Sequence, residues 1–157
     1  MKIVLIAVGK IKQDYLITGI LDYKKRLKRY IDFDIIEISK LKKTNNLIKS
    51  QISEKEGKLI LKELQENDYV ILLDQKGVTV DSLGFANLLN KYKEITNKKI
   101  VFIIGGAYGF SKEIYKRSNK VLSFSSMTFT HQMIRLFFLE QLYRGFSILS
   151  NQPYHHE

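Results

Sequence analysis

Apolar residues, many of them β-branched, fall in five short runs along the chain: IVLIAV (3–8), DFDIIEI (32–38), YVILLD (69–74), KIVFIIG (99–105) and KVLSFS (120–125). Runs of this kind between polar segments predict strands. Between them the period changes. Leu16, Ile20, Tyr23, Leu27 and Tyr30 recur at steps of four and three, which predicts one buried helical stripe with the cations of KKRLKR turned outward. Residues 46–66, 82–95 and 130–149 read as further helices, with a shorter one opening at Ser111. Ser82, Ser111 and Thr130 are the expected N-caps, because their side-chain oxygens can accept from the open amides of a first turn. LKKTNN (41–46) is expected to be a mobile loop.

Strands that alternate with helices and are apolar on both faces predict an α/β fold, a mainly parallel sheet with helices on both faces. The chain has 157 residues and shows no repeat, low-complexity tract or linker, so a single domain over 1–157 is expected. The longest apolar runs, such as IVFII and LFFL, are too short to cross a bilayer. MKIVLIAVGK reads as a first strand and not as a signal peptide. A cytoplasmic location with no membrane partner is therefore expected. Without cysteine there is no disulfide and no thiolate metal site.

Charge changes the picture more. A net charge of +10 suits a polyanionic partner, because Lys and Arg attract phosphates and release their counterions. Yet 21 lysines stand against 5 arginines in a chain also rich in Ile and Asn, which fits a compositional bias equally well. Charge alone leaves both readings open.

In open parallel sheets ligands sit beyond the carboxyl ends of the strands, which points to the loops expected after 69–74, 99–105 and 120–125, DQKG, GGAYGF and SSMT. IIGGAYGF is glycine-rich between a strand and a helix, so its backbone can approach a small molecule closely. It is neither G-x-G-x-x-G nor a Walker loop and has no phosphate-reaching lysine. A tight turn alone would also explain the glycines. His131 reads as a capping or surface residue, with Arg135 one turn later on the same face, and Glu140 with Arg144 as an i, i+4 ion pair in solvent. Phe137, Phe138 and Phe146 read as packing, against the sheet or a partner subunit. His155 and His156 lack a third ligand nearby, so no metal site is expected. The tail NQPYHHE nonetheless gathers the chain's one proline, a tyrosine and two of its three histidines where chains usually fray.

Several of these stretches together resemble one family. IIGGAYGF, then LSFSSMTFTHQMIRLFFLEQLYRGFSI, then NQPYHHE, with MKIVLIAVGK, YKKRLKRY and LLDQKG before them, look like the ribosomal RNA large-subunit methyltransferase H family of the SPOUT (α/β-knot) superfamily. The chain departs from the family pattern at Leu83 and Gly84, where acidic residues are expected, and at Thr130, where proline is frequent. The resemblance implies an S-adenosylmethionine (SAM)-dependent enzyme that methylates N3 of a pseudouridine in 23S rRNA. It also implies a C-terminal trefoil knot and a homodimer with the active site between protomers, the last helix lying at the interface. Leu73, Gly105 and the segment Phe124, Ser125, Ser126, Met127, Thr128 and Phe129 would hold the cofactor. Arg144, Tyr154 and His155 would serve substrate binding and catalysis, His155 as base or orienter, with Glu140 a further candidate and no metal needed. Small size and no separate RNA-binding domain suggest the assembled ribosome as substrate over naked rRNA. Each tail is expected to complete the partner's pocket. Two other readings stay open: a non-catalytic basic ribosome-associated RNA-binding module, and a flavodoxin-like nucleotide-binding domain.

Overall fold

A computed structural model describes residues 1–95 and 99–156. Glu157, the last residue of the tail motif, lies outside the described residues. Five strands form one sheet: β1 (Lys2–Val8), β2 (Asp32–Ile38), β3 (Tyr69–Thr79), β4 (Ile100–Ile104) and β5 (Lys120–Ser123). Their order is β2-β1-β4-β3-β5, parallel at every pairing. The helices are α1 (Asp14–Leu27), α2 (Lys49–Glu63), α3 (Ser82–Ile95), α4 (Lys112–Arg117) and α5 (Met133–Leu149). All five predicted strands and all the predicted helices are present, and α2 is shorter at both ends than its pattern suggested.

Side-chain alternation along the strands divides the core in two. Ile3, Leu5, Ala7, Ile100 and Phe102 face a cluster built with Leu27 of α1, Phe85 and Leu89 of α3 and Phe138 and Leu142 of α5. Val4, Ile6, Val8, Val101 and Ile103 face Ile60 of α2 and Ile114 of α4. The central strands are therefore apolar on both sides because both sides carry a helical layer. The two helices that flank β5 in sequence, α4 and α5, lie in opposite layers, so the chain changes faces just beyond the carboxyl end of β5.

Two expectations at element ends are corrected. DQKG is not a loop: β3 runs through it to Thr79, and its pairing with β5 shifts register between Leu73 and Val78. Gly77 lies in this irregular stretch because the two backbones meet there. A Cβ on Gly77 would stand 2.6 Å from the backbone N and C of Leu122. Gly77→Ala should therefore destabilise the fold by about 1–3 kcal/mol through overpacking against atoms that cannot rotate away. A lowered urea midpoint with unchanged slope would show it, and an unchanged midpoint would mean that β5 yields freely.

The second correction concerns α3. Its cap is Asp81, whose Oδ1 accepts from the Gly84 amide at 2.6 Å, while Ser82 lies inside the helix and donates to Gln141 Oε1 on α5 at 2.7 Å. The carboxylate one residue earlier reaches the open amides better than the hydroxyl, which has a partner across the helix pair. Ser111 does cap α4, accepting from Ile114 N at 3.3 Å. Thr130 accepts from Met133 N at 3.1 Å, in the turn that leads into α5. Among the described residues no helix is long and apolar enough to cross a membrane.

Candidate functional site

The carboxyl ends of β3, β4 and β5 open into one cleft of about 730 Å³. That volume lies within the range of about 300–1,000 Å³ in which proteins hold small molecules. Leu73 and Gln75 line it from β3, Gly105, Gly106 and Gly109 from the glycine loop, and Phe124, Ser125, Met127, Thr128 and Phe129 from the segment after β5. The parallel order brings these together because β4 and β5 flank β3.

Each wall has a local cause. Gly109, at φ +75°, lets the loop after β4 double back, and its amide donates to the Gly106 carbonyl at 3.2 Å. Behind Gly106 there is no room either: a Cβ there would lie 2.5 Å from Glu56 Oε2 on α2. The Glu56 carboxyl is buried, and that burial raises its pKa while Lys40 opposes the shift. On the far wall Gln75 Nε2 donates to Thr128 Oγ1 at 2.8 Å, tying the irregular stretch of β3 to the segment that follows β5. Asp74 accepts a hydrogen bond from the Tyr115 hydroxyl of α4. Of the residues expected to hold a cofactor, Ser126 alone does not line the cleft. Ser125 Oγ accepts from the Met127 amide at 2.9 Å, and this tight turn leaves Ser126 exposed at its tip.

The cleft also has a side that sequence reasoning missed, formed by Gln13, Tyr15 and Leu16 at the start of α1 and by His131 at the approach to α5. His131 is half-buried, and burial, Lys40 and Arg135 all lower its pKa, which favours the neutral imidazole. Arg135, one turn on, is 1% exposed, donating to the Val8 carbonyl at 2.6 Å, the His131 carbonyl at 3.1 Å and Glu37 Oε1 at 3.3 Å. It thereby fixes the approach to α5 against the ends of β1 and β2. Phe138 and Phe146 are core residues, but Phe137 points outward at 41% exposure, its ring 4.9 Å from that of Phe129.

The tail is folded onto the other end of α5. Glu140 Oε1 accepts from Arg144 Nη2 at 2.6 Å and Nε at 3.0 Å and from the Tyr154 hydroxyl at 3.2 Å, so the pair expected to be in solvent is half-buried and organises the tail. The Arg144 guanidinium also stacks on Tyr154, 4.7 Å from the ring centroid. Tyr154 and Tyr23 of α1 bring their hydroxyls within 3.2 Å. Burial, then the hydrogen bond with Tyr23, raise the Tyr154 pKa, so its phenol is a donor and not a base. Arg144 Nη1 lies 3.2 Å from His155 Nδ1. A guanidinium only donates, so in this contact Nδ1 accepts and Nε2 carries the hydrogen of the neutral ring.

Arg144, Tyr154 and His155 are therefore brought together, but none of them lines the cleft. From Met133, which lines it, to Arg144 is eleven helical residues, about 16 Å along the axis. Tyr23 was legible only as part of a buried stripe. Its hydroxyl partner lies 131 residues away in the chain, and no local spacing signals that.

A family profile described as predicted SPOUT methyltransferase matches residues 1–155. A ribosomal RNA large subunit methyltransferase H of Flavobacterium johnsoniae is 54% identical over 157 residues, all of both chains. Proteins of the same name from Flavobacterium psychrophilum and Parabacteroides distasonis are 51% and 49% identical, again over 100% of both chains. Fold, cleft and full-length similarity agree, and the chain belongs to the SPOUT methyltransferase family, among the ribosomal RNA large subunit methyltransferases H.

Proposed function

We propose that the protein is an SAM-dependent methyltransferase that acts as a homodimer on N3 of a pseudouridine in 23S rRNA, within the assembled ribosome. The observation that carries this reading is the division of the site. A small-molecule cleft and a donor-rich tail stand at opposite ends of one helix, and a second copy laid across them would bring one chain's tail to the other's cleft. Apolar side chains suited to such a contact are exposed on the cleft side: Phe137 and Phe129 as a tilted ring pair, with Met127 at 70% and Tyr15 at 63% exposure. The buried face of α5 is already used within the chain, so it is this outer face that would meet the partner. The reading includes the C-terminal trefoil knot, in keeping with the change of layers beyond β5.

The cleft suits SAM. Glycine backbone at Gly105 and Gly106 allows close approach, and the segment from Phe124 to Phe129 offers rings and backbone polar groups for an adenosine. SAM would supply an electrophilic methyl group, and the chain's own residues have to align the acceptor and stabilise it as N3 gives up its proton to solvent water. That loss builds negative charge on the two carbonyl oxygens flanking N3. Arg144 and the His155 Nε2–H are donors of the right kind for them, and Tyr154 holds both in place through Glu140. In this arrangement His155 is an orienter, because serving as base would require Nδ1 to release Arg144. A pure binding module would have no use for a cleft at three strand ends.

The test is transfer of labelled methyl from SAM to ribosomes, with deproteinised 23S rRNA and the Gly105→Val variant as arms. A Cβ on Gly105 would meet the Phe110 ring at 3.1 Å, and the branches of valine would project further into the cleft. The expected result is label at one uridine-derived position in ribosomes, far less in protein-free rRNA, and no calorimetric SAM binding by the variant while its dimer persists. Equal labelling of protein-free rRNA would remove the ribosome from the proposal, and retained SAM binding would make Gly105 a turn residue only.

A further inference from the structure

Four basic residues at the end of α1 and just beyond it, Lys25, Arg26, Lys28 and Arg29, are exposed. Two neighbouring charges are compensated nearby: Lys24 Nζ lies 2.9 Å from Asp34, and Arg26 Nε 2.9 Å from Asp22. Among the described residues Lys25, Lys28 and Arg29 have no ion pair.

The arginines here are held in place. Arg29 stacks at 4.7 Å on the Tyr30 ring and donates to the Tyr143 hydroxyl at 2.7 Å, and Arg26 lies 5.6 Å from the Tyr23 ring and 5.8 Å from that of Tyr143. Tyr143 meets the Tyr154 ring edge-on at 4.8 Å, and Arg144 covers Tyr154. Three of the chain's five arginines thus stand on one continuous aromatic surface that runs from α1 to the tail. A guanidinium fixed by stacking keeps its N–H edge in solvent, and its fork matches two oxygens of a phosphate. Lysines scattered by composition would not be accompanied by such fixed arginines.

We propose that the end of α1, through Lys25, Lys28 and Arg29, is the docking surface for rRNA backbone phosphates that delivers the target nucleotide to the tail of the same chain. This rests on the methyltransferase reading above and adds to it where the RNA is gripped. In a composite site, the protomer that donates the tail would hold the RNA and its partner would hold the cofactor.

The experiment compares the full-length wild type with Lys25→Gln/Lys28→Gln and with a control, Lys91→Gln/Lys93→Gln, that removes the same charge from exposed positions of α3. Binding to purified ribosomes is measured by co-sedimentation across a salt series, apart from any activity. Two lost phosphate contacts should weaken binding about tenfold near physiological salt and lower the slope of log K against log salt by about 1.5. The control should do neither. Under turnover, KM for ribosomes should rise with kcat kept, and Arg29→Gln should also lower kcat because it supports Tyr143.

Unchanged affinity and slope in Lys25→Gln/Lys28→Gln would overturn the proposal. So would an equal loss in the control, which would mean diffuse charge, or a weakening without a change in slope, which would mean an acidic ribosomal protein as contact. Failure of the enzyme reading looks different: the wild type would bind ribosomes through this surface and transfer no methyl group.

Discussion

Arg135→Met is expected to lower the stability of the fold by about 2–4 kcal/mol, the cost of leaving buried backbone acceptors without their donor. Three parts of the chain depend on that guanidinium. Its Nη2 donates to the Val8 carbonyl at 2.6 Å at the end of β1, its Nη1 lies 3.3 Å from Glu37 on β2, and its Nε donates to the His131 carbonyl at 3.1 Å. Methionine fills much of the volume but donates to none of these, so the buried Val8 carbonyl loses this donor, while the exposed Glu37 keeps the Ile11 amide and water. Burial already depresses the Arg135 pKa while Glu37 raises it, which marks the site as one where charge is tolerated only because it is matched. Urea denaturation measures the loss. SAM affinity should fall as well, since the approach to α5 forms one wall of the cleft. A loss below about 1 kcal/mol, the scale of a surface pair, would mean that water replaces the guanidinium easily.

The sheet was legible because its signal is local. IVLIAV and IVFII are apolar at consecutive positions, and only strands covered on both faces ask for that. The cleft was legible in part for a similar reason: glycines at the end of β4 and the Ser-rich stretch after β5 declare themselves by position. Arg135 was not. A lone arginine one turn beyond a histidine looks the same in sequence whether it faces solvent or the ends of two strands. Its partners Val8 and Glu37 lie 127 and 98 residues away. Ser126 differs in the opposite way: the resemblance carries the whole segment 124–129 to the cofactor, and only the folded turn closed by Ser125 Oγ sets this one side chain outside the cleft. Glu140 and Arg144 have a spacing that predicts a weak pair, and what makes theirs different is the aromatic tail laid over them, seen only in the folded chain.

That tail supplies the largest expected effect on activity. Gly105→Val blocks the cleft and leaves the tail sound, whereas His155→Ala leaves the cleft sound and removes a donor. Each homodimer should be nearly inactive, the first for want of cofactor and the second by about 10²–10³-fold, the usual cost of one donor to developing negative charge. A heterodimer of the two, purified through different tags, contains one intact cleft and one intact tail on different chains. If the tail acts across the interface, as the distance along α5 between cleft and Arg144 suggests, one working site is restored and methylation recovers. The reverse pairing gives the opposite outcome: a wild-type chain joined to one carrying both substitutions should be inactive, because each site then holds one defective half. Action within a chain reverses both results, leaving the first heterodimer dead and the second half-active. The tail's own contacts remain intact in either case, because Tyr23, Tyr143 and Glu140 seat Tyr154 without help from the partner. What the partner would receive is a preassembled group of donors, and the dimer would need only to place it over the cleft.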